Sequence, residues 1–571
     1  MRTRFIASQL LIGLFVAFQI FTSVQNTVGQ TFDEQFELWP TDLKIGGTVI
    51  AGGGGELPEF AREYFMRSAS TGDQKTIAIV FEGAMSWSAE RLEEEFSGLK
   101  NCEIVSNPVT GDQASEALLK KIAQAGAVWI AADKAVARSQ FNSLLRCIES
   151  AKSTVATGGI VCVNGPASEL LGKFDWETGP AKVTGSAGFT VSIRSATNLI
   201  PDAAILSGYN DSKDRREILG LLGHEPRCVG IGIEKETAII LRGRKIRVVG
   251  EGESTFCLMG NEQKPLRIQH VRQSVSRRPN PYTTIVDLTA WRRDAIERTV
   301  DPFPAATPPK PVVENGTLII VGGGGMPAGL MEQMVSLAGG KEAKMVYVPC
   351  SEADEVGEKQ RMVEVWKRMG VKSACFIHTK DRNKANSDED FLAPLKDATG
   401  IWFGGGRQWN FSDSYYGTKA HRLMKDVLKR GGVIGGSSAG ASIQAAYMCR
   451  ANPVANFDIM APGYERGLGF IRGIAIDQHF SQRGRQKDMT QLVDTYPQLL
   501  GVGIDETTAI IVNKSLAKVV GKNKVHFYDR TQPVVPDTDD FLAITEGMVF
   551  DLAKRVVVEQ DNEDKKAGND E

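Results

Sequence analysis

The chain has 571 residues, of which 42% are hydrophobic and 24% charged, and its formal net charge is -2. This composition is ordinary for globular proteins, and the length predicts more than one domain. The near balance of 67 Lys and Arg residues against 69 Asp and Glu residues argues against a nucleic-acid-binding protein, which usually carries a basic excess.

The first residues resemble a targeting segment. The basic run "MRTR" is followed by the apolar run "FIASQLLIGLFVAF" and then by small residues in "TSVQNTVGQ". This order predicts a signal peptide over residues 1–29 and an exported protein, with an uncleaved anchor as the alternative. No later run is apolar enough to span a bilayer, so we expect no membrane attachment after cleavage.

Eight cysteines are scattered along the chain, and none has the spacing of a metal-binding motif. Export permits disulfides, but the sequence does not determine which cysteines pair. For most of them we expect the role of small, buried apolar residues. We therefore expect no bound metal, and the chemistry inferred below needs no organic cofactor.

Four blocks of sequence occur twice in the same order. "GGTVIAGGGGELPE" from Gly46 is matched by "NGTLIIVGGGGMPA" from Asn315, and "GGIVCVNGPASELL" from Gly158 by "GGVIGGSSAGASIQ" from Gly431. The members of the four pairs lie 269 to 273 residues apart. A repeat of this length predicts two copies of one domain.

The predicted boundaries follow from these blocks. The first copy covers residues 44–265, and the second copy covers residues 316–545. A connecting segment over 266–315 contains a proline-rich stretch, which favours an extended linker. Residues 546–571 form a C-terminal segment that ends in a polar tail.

Strand-like and helix-like patterns alternate within each copy. "KMVYVPC" is typical of a buried strand, and "YGTKAHRLMKDVLKRGG" of an amphipathic helix ended by glycine. The alternation predicts an α/β fold of two tandem doubly wound, mostly parallel sheet domains. The two "GGGG" runs lack a complete nucleotide-binding motif, so we interpret them as tight strand-to-loop turns.

The stretch "KRGGVIGGSSAGASIQAAYM", from Lys429 to Met448, carries the main functional pattern. A predicted strand runs through glycines into Ser438 and then into a helical run, which is the setting of a nucleophile elbow. A nucleophile on so sharp a turn needs small neighbours, and the backbone N–H of Ala439 can face a developing oxyanion. From spacing alone, a structural glycine-rich turn is an equally good interpretation.

A serine nucleophile needs a base, and we select His479 because it follows a strand-like run and lies among polar residues. A buried structural histidine is the alternative. "VGIDETTAIIV" places Asp505 and Glu506 on opposite faces of the chain, so only one is expected to orient the histidine. Gly405 and Gly406, after "GIWF", are candidates for a second oxyanion donor.

Three motifs, "GGSSAGAS", "IDQHFSQRGR" and "GVGIDETTA", resemble the cyanophycinases in order and spacing. That family belongs to the wider group of serine peptidases that includes aspartyl dipeptidases. The resemblance covers roughly residues 316–535 and implies Ser438 as nucleophile, His479 as base and acid, and Glu506 rather than Asp505 as the histidine's partner. It also implies a fold akin to class I glutamine amidotransferases.

The resemblance further implies a peptide or polymer substrate with aspartyl units. Cyanophycinases release β-aspartyl-arginine from a polymer of aspartate that bears arginine side groups. Arg483 and Arg485 are candidates to bind substrate carboxylates bidentately, and Gln408 and Gln478 to add hydrogen bonds. For each arginine, a solvated surface charge is the alternative.

Two positions depart from the family pattern. Cyanophycinases commonly carry an acidic residue where "GGRQ" has Arg407, and an arginine where "RGRQKD" has Asp488. These departures bear on recognition of a substrate's arginine and leave the catalytic residues unchanged. The catalytic class is therefore indicated more firmly than the substrate.

The first copy lacks the triad. The repeat aligns Ser438 with Gly165, His479 with Gly208 and Glu506 with Lys235. "GSAGF" contains Ser186, but it precedes a strand-like run instead of a helix, so we take this serine as non-catalytic. A degenerate copy can pair with the active copy as an intramolecular pseudo-dimer.

The combined hypothesis is an exported serine peptidase that hydrolyses aspartyl-containing peptides, with cyanophycin as the expected polymer. Its mechanism is acyl transfer by a Ser-His-Glu triad. The alternative is a non-catalytic binding protein, because the first copy has the same predicted fold without the triad.

Overall fold

Runs of β-branched and other apolar residues form the strands of this chain, and amphipathic runs form its helices. The computed structural model describes residues 39, 45–71, 75–81, 88–106, 109–110, 113–132, 140–180, 189–274 and 284–559. The predicted signal peptide, Ser186 and the end of the polar tail lie outside these residues. Both predicted copies belong to one unit, Pro40–Glu571.

The first half contains sixteen strands and six α-helices among the described residues. The strands are β1 (Thr48–Gly52), β2 (Thr76–Val80), β3 (Cys102–Ser106), β4 (Val109–Thr110), β5 (Gln113–Ala114), β6 (Ala127–Ala131), β7 (Ile160–Asn164), β8 (Phe174–Pro180), β9 (Phe189–Ser195), β10 (Ala203–Ser207), β11 (Val229–Ile233), β12 (Thr237–Arg242), β13 (Lys245–Gly250), β14 (Glu253–Leu258), β15 (Arg267–Arg272) and β16 (Ile285–Asp287). The helices are α1 (Glu59–Ala69), α2 (Ala89–Glu95), α3 (Glu116–Ala123), α4 (Phe141–Ala156), α5 (Asp211–His224) and α6 (Leu288–Glu297).

The second half contains fourteen strands and eight α-helices among the described residues. The strands are β17 (Val313–Val321), β18 (Lys344–Val348), β19 (Ser373–Phe376), β20 (Gly400–Phe403), β21 (Val433–Ser437), β22 (Ala445–Met448), β23 (Ile471–Gln478), β24 (Leu500–Ile504), β25 (Thr508–Lys514), β26 (Leu516–Gly521), β27 (Val525–Tyr528), β28 (Leu542–Ile544), β29 (Val549–Asp551) and β30 (Val556–Val558). The helices are α7 (Leu330–Leu337), α8 (Arg361–Arg368), α9 (Arg382–Ser387), α10 (Glu389–Asp397), α11 (Trp409–Tyr415), α12 (Lys419–Lys429), α13 (Ala439–Ser442) and α14 (Gln486–Thr495).

The large sheets of the two halves have corresponding strand orders. The first runs β3-β2-β6-β7-β1-β12-β13-β16, and the second runs β19-β18-β20-β21-β17-β25-β26-β29-β30. In both, the first five strands are parallel and the following strands are antiparallel. This correspondence supports the repeat that the four matched blocks predict.

Each half also has a smaller mixed sheet, which the expectation of one sheet per copy did not include. The first has the order β10-β11-β14-β15, and the second has the order β22-β23-β24-β27-β28. The fold is α/β, as predicted. Apolar periodicity identifies strands, but it does not determine which strands pair, and so the division into two sheets was not visible in the sequence.

Side-chain alternation places apolar residues on both faces of the large sheet. In β20, Trp402 packs into one buried cluster and Phe403 into another on the opposite face. All four residues of this strand are buried. A strand covered on both faces reads as a continuous apolar run, which explains why "GIWF" lacks polar residues.

The first copy extends beyond residue 265, where we expected it to end. Strand β15 pairs with β14 in the small sheet, and β16 pairs with β13 in the large one. Helix α6 follows, and it packs so tightly against the second half that a Cβ atom on Gly463 would lie 2.2 Å from the Ala290 carbonyl oxygen. Part of the predicted connecting segment therefore forms strands and a helix that belong to the fold of the first half.

The proline-rich stretch after α6 also contacts the second half. The ring of Phe303 stacks on Tyr447 with 6.1 Å between centroids. A Cβ atom on Gly473 would lie 2.4 Å from the carbonyl oxygen of Pro309. The stretch is irregular, and these contacts place it against the second half.

Among the described residues, no helix combines the length and the apolar character needed to cross a membrane. Nor does that part of the chain gather three or more His, Cys, Asp or Glu side chains in a metal-binding group. All eight cysteine thiols are free.

The contact between α6 and Gly463 gives a stability prediction. Gly463 and Gly547 share a φ of 86°, where any other residue is strained by roughly 1–3 kcal/mol. Only Gly463 faces a backbone oxygen at 2.2 Å, whereas nothing lies within 4 Å of a Cβ atom on Gly547. We expect Gly463→Ala to lower the free energy of unfolding by about 1–3 kcal/mol more than Gly547→Ala, because overpacking adds to the strain. Urea denaturation measures both, and equal losses would contradict the tight contact.

Candidate active site

Ser438 lies on the turn between β21 and α13. Its φ of 58° and ψ of -114° are unusual for a residue with a side chain, and such strain persists only where neighbouring contacts fix it. Its backbone N–H donates to the carbonyl of Val321 at 3.0 Å, and its carbonyl accepts from Ala441 at 2.9 Å. These bonds hold the side chain beyond the carboxyl end of the strand.

The neighbours of Ser438 are small because backbone segments meet there. A Cβ atom on Gly436 would lie 2.3 Å from the carbonyl oxygen of Gly440. A Cβ atom on Gly440 would lie 2.1 Å from the carbonyl oxygen of Phe403. The pattern "GGSSAGA" thus meets a steric requirement of this strand-turn-helix.

Ser438, His479 and Glu506 form a continuous hydrogen-bonded chain. The Oγ atom of Ser438 lies 2.9 Å from Nε2 of His479, and Nδ1 of His479 lies 2.5 Å from Oε1 of Glu506. When Nδ1 carries the proton of a neutral imidazole, it donates to the carboxylate and leaves Nε2 to accept from the serine hydroxyl. This is the arrangement of a nucleophile, a base and an orienting carboxylate.

The neighbouring carboxylate, Asp505, points elsewhere. Its Oδ1 atom accepts from the Ser481 backbone N–H at 2.9 Å and lies 3.4 Å from Nε2 of His526. Strand alternation predicted opposite faces for the two acidic residues, and the structure places Glu506 on the side of His479.

Ser481, His526 and Asp505 contain the residue types of a second triad, but their geometry differs. Nε2 of His526 is the atom near both Ser481 Oγ, at 3.1 Å, and Asp505. A base that relays a proton needs one ring nitrogen for the serine and the other for the carboxylate. This cluster therefore fixes the turn after His479.

The glycine run after β17 encloses the histidine and the glutamate. A Cβ atom on Gly323 would lie 2.3 Å from Cε1 of His479, and one on Gly324 would lie 2.4 Å from Oε2 of Glu506. The backbone N–H of His479 also donates to the Gly322 carbonyl at 2.8 Å. We interpreted "GGGG" only as a tight turn, and its part in the site became visible when the loops met in space.

Two of the predicted oxyanion donors, Gly405 and Ala439, lie beside Ser438. A Cβ atom on Gly405 would lie 3.5 Å from the Cβ atom of Ser438, and Ala439 begins α13 directly after the serine. Gly406 has a φ of 149° and lies against Cys350. Within the described part of the chain, the backbone N–H groups of Gly405, Gly406 and Ala439 have no hydrogen-bond acceptor.

The four predicted binding residues are divided between surface and interior. Arg483 is exposed, and in the described part of the chain no carboxylate pairs with its guanidinium. Arg485 is only 4% exposed and donates to Asp477 Oδ1 at 2.8 Å and to the side chain and carbonyl of Gln478. Gln408 is buried and donates to the carbonyl of Cys449.

Three of these expectations therefore need correction. Arg485 and Gln408 use donors inside the protein, because a buried polar group must be hydrogen-bonded. Gln478 is 5% exposed and its side-chain oxygen accepts from Arg485 at 3.2 Å. Arg483 alone is presented to solvent beside His479.

The two positions that depart from the family pattern contact one loop. Arg407 donates to the carbonyl of Asn452 at 2.6 Å. Asp488 pairs with Arg450 at 2.5 Å, and Arg450 also pairs with the buried Asp477 at 2.8 Å. The acidic group at 488 therefore neutralises an internal arginine.

The pKa of His479 lies below its ordinary value of 6.5. The largest cause is burial, because desolvation disfavours the imidazolium ion. The hydrogen bond that the ring donates to Glu506 raises the pKa, and the positive charge of Arg483 lowers it. At neutral pH the ring is uncharged and able to accept a proton.

A cavity of about 610 Å³ lies beyond the carboxyl ends of β18 and β19. It is lined by residues 354–356, 376 and 378–384, which include both acidic and basic side chains. None of Ser438, His479 and Glu506 lines it. It therefore adjoins the sheet edge that carries the triad without containing the triad.

The first copy keeps the backbone of the site without its side chains. Gly165 follows β7 as Ser438 follows β21, and their φ angles are 76° and 58°. Gly208 follows β10 as His479 follows β23, with φ angles of 61° and 51°. Lys235 takes the position of Glu506 two residues after the next strand. The aligned positions therefore share conformation but not chemistry.

Residues 311–520 match the model of Peptidase family S51. The cyanophycinase of Geminocystis herdmanii is 27% identical over 203 residues, which cover 35% of this chain and 74% of that protein. The cyanophycinase of Synechococcus elongatus is 28% identical over 197 residues, which cover 34% of this chain and 60% of that protein. A solved structure of a peptidase from an acI-B1 Actinobacterium is 22% identical, covers 42% of this chain and 97% of that chain, and has a TM-score of 0.32.

The α/β fold, the serine-containing site and the matches to relatives define this part of the chain as a serine peptidase. More closely, it is cyanophycinase-like, and residues 311–520 are similar to Peptidase family S51. The matched segment spans 60% of the second relative's length, so the activity and substrate of the whole protein are treated below as proposals.

The contact between Gly323 and His479 gives a prediction about activity. In Gly323→Ala the new methyl group must displace the imidazole, because its Cβ atom would lie 2.3 Å from the ring. We expect kcat to fall by about 10²–10⁴-fold, the usual contribution of a general base, with KM little changed. Gly325→Ala is the matched control in the same loop, since its Cβ atom would lie 3.3 Å from a Thr507 methyl group and away from the triad. A Gly323→Ala enzyme as active as the control would refute this steric role.

The lowered pKa of His479 gives a prediction about pH. The neutral ring is the active form, so the rate at which Ser438 reacts with a fluorophosphonate should fall as the pH drops through this pKa. Because the pKa lies below 6.5, the midpoint of this acidic limb should also lie below 6.5. Glu506→Gln removes a group that raises the pKa and should move the midpoint lower. Labelling rates measured at constant ionic strength test both points, and a midpoint above 6.5 would contradict them.

Proposed function

We propose that this protein is an exported serine peptidase that hydrolyses peptides beside aspartyl units, with Ser438 as nucleophile. The observation that carries the proposal is the chain from Ser438 Oγ to His479 Nε2, at 2.9 Å, and from His479 Nδ1 to Glu506, at 2.5 Å. The catalytic copy is the second one, residues 316–545. Export rests on the signal-peptide pattern in residues 1–29.

The reaction proceeds by acyl transfer. Ser438 Oγ attacks the carbonyl carbon of the scissile bond while its proton passes to Nε2 of His479. The C–N bond then breaks, and the imidazolium returns the proton to the leaving amine. Water attacks the resulting ester with His479 again as base, which releases the acid and restores the serine. Glu506 keeps the ring oriented and stabilises its charged form.

The backbone N–H groups of Ala439 and of Gly405 or Gly406 bind the oxyanion of the tetrahedral intermediate. Their support is their position around Ser438 and the absence of protein acceptors for them among the described residues. Removal of one such donor usually costs about 10²–10³-fold in kcat. A glycine at 405 leaves room for the substrate carbonyl beside the serine.

The substrate is a peptide or polymer that contains aspartyl units, and cyanophycin is the first candidate because two similar proteins are cyanophycinases. Arg483 supports an anionic substrate, since its exposed guanidinium lies four residues from His479 and can bind a carboxylate bidentately. Arg407 stands where an acidic residue is common in that family. We therefore expect weaker recognition of a substrate's arginine.

The first copy is a non-catalytic partner within the same chain. It lacks all three triad side chains, and the matching strand orders support a common domain. Ion pairs join it to the active copy, including the buried pair of Arg466 with Glu297 at 2.7 Å and the partly buried pair of Lys264 with Glu465 at 2.6 Å. Buried pairs of this kind are costly to break, which supports an intramolecular pseudo-dimer.

The decisive experiment is hydrolysis of cyanophycin and of a synthetic β-aspartyl-arginine polymer fragment, with the product identified by mass spectrometry. The wild type should release β-aspartyl dipeptide, and Ser438→Ala should not, because no other group replaces the nucleophile. Labelling by a fluorophosphonate at Ser438 without hydrolysis would retain the peptidase and reject this substrate. No labelling and no hydrolysis would favour a non-catalytic binding protein.

The neighbouring carboxylates supply a matched control. Glu506→Gln should lower kcat strongly, because the amide cannot stabilise the imidazolium, whereas Asp505→Asn should keep most of the activity. The reverse order would assign the orienting role to Asp505.

A further inference from the structure

Asp413 lies at the contact between the two copies, and its carboxylate pairs with two arginines of the first copy. Its carboxylate is 5% exposed. It accepts from Arg244 and, at 2.7 Å, from Arg293. Arg244 lies in the turn between β12 and β13, and Arg293 lies in α6, so both belong to the first half. Tyr464 of the second half adds a hydroxyl donor at 2.7 Å.

The first half contacts α11, the helix that carries Asp413, at two further residues. The guanidinium of Arg244 lies 4.6 Å from the centre of the Trp409 ring, within the range of a cation–π contact. Arg293 also donates to Ser412 Oγ at 2.7 Å. Three of the seven residues of α11 are therefore in contact with arginines of the first half.

Helix α11 directly continues the loop that contains Gly405 and Gly406. The loop is fixed at its start by the N–H of Gly404, which donates to the Val348 carbonyl at 3.0 Å. Its end passes into the helix through a hydrogen bond from the Asn410 N–H to the Arg407 carbonyl at 3.0 Å. A shift of α11 must therefore be transmitted to the two glycines.

The ion pairs of Asp413 with Arg244 and Arg293 persist at neutral pH. Burial acts to raise the pKa of this carboxyl, but Arg244 and Arg293 outweigh it, so the pKa is lowered and the group stays ionised. A buried carboxylate requires these partners in place, which makes the contact directional and costly to rearrange. From the second half, Arg382 donates to the backbone carbonyl of Asp413 at 3.1 Å, and the positive charge of Lys380 also lowers the pKa of the Asp413 carboxyl.

We propose that Arg244 and Arg293 of the degenerate copy are positioning residues for catalysis, which hold α11 through Asp413 and thereby set the Gly405–Gly406 backbone beside Ser438. This inference rests on the proposed function, since it concerns the oxyanion donors of that reaction. It gives the first copy a role in the rate of the active copy without a chemical step of its own.

Substitutions of two adjacent arginines on α6 test this proposal. Arg293→Gln removes one of the two arginines that pair with the Asp413 carboxylate. Arg292→Gln is the matched control, because Arg292 is equally buried but pairs with Asp202 inside the first copy at 2.5 Å. Both substitutions should lower the Tm. In the full chain, only Arg293→Gln should lower kcat, by about tenfold or more, with KM within about twofold, as expected when an oxyanion donor is misplaced.

Two further variants guard against misfolding. Asp413→Asn removes the shared carboxylate charge and should reproduce the kcat loss of Arg293→Gln. Arg293→Lys keeps the charge without the forked geometry and should recover part of the rate. The labelling rate of Ser438 by a fluorophosphonate should fall in parallel with kcat, because the phosphonyl oxygen occupies the oxyanion site.

The outcomes separate this inference from the proposed function. If Arg293→Gln and Asp413→Asn retain wild-type kcat and labelling, the positioning role is wrong and the peptidase remains. If Arg292→Gln loses as much activity as Arg293→Gln, the effect is general destabilisation and the inference is overturned. If the wild type itself neither hydrolyses the peptides nor is labelled at Ser438, the proposed function fails first.

Discussion

The site depends on a steric constraint: the imidazole of His479 packs directly against the backbone of Gly323, where there is no room for a side chain. A Cβ atom on Gly323 would lie 2.3 Å from the ring, and one on Gly324 would lie 2.4 Å from Glu506. The same lack of space for a side chain is found on the other side of the serine, where Gly440 packs against the carbonyl of Phe403. Three loops from two sheets can converge on one hydroxyl only because glycines line the meeting point.

Buried ion pairs are the second organising feature of the site. Asp477 is wholly buried and is neutralised by Arg450 and Arg485, while Asp413 is neutralised by Arg244 and Arg293. Such networks are tolerated when every member is paired. They fix the loops behind the triad and leave Arg483 as the exposed cation beside it. These pairs fix the positions of the loops more than they add to the stability of the fold.

The two halves use one architecture for different ends. Gly165 and Gly208 share the positive φ of Ser438 and His479 without their side chains. The strand order of the large sheet is retained around them. The first half instead contributes α6 and the β12–β13 turn, whose arginines reach the second half. The first half therefore has a similar large sheet without the side chains of the candidate triad.

The sequence by itself determined the α/β class and predicted the repeat and the candidates Ser438, His479 and Glu506, because apolar periodicity and small residues at sharp turns are local properties. It did not indicate that the side chains of Arg485 and Gln408 are buried, where they donate to Asp477 and to the Cys449 carbonyl. It missed Gly323, whose role exists only where the loop after β17 meets the loop after β23. Only the tertiary structure decided these points, because the burial of a polar side chain and the meeting of two loops depend on how the strands and sheets pack.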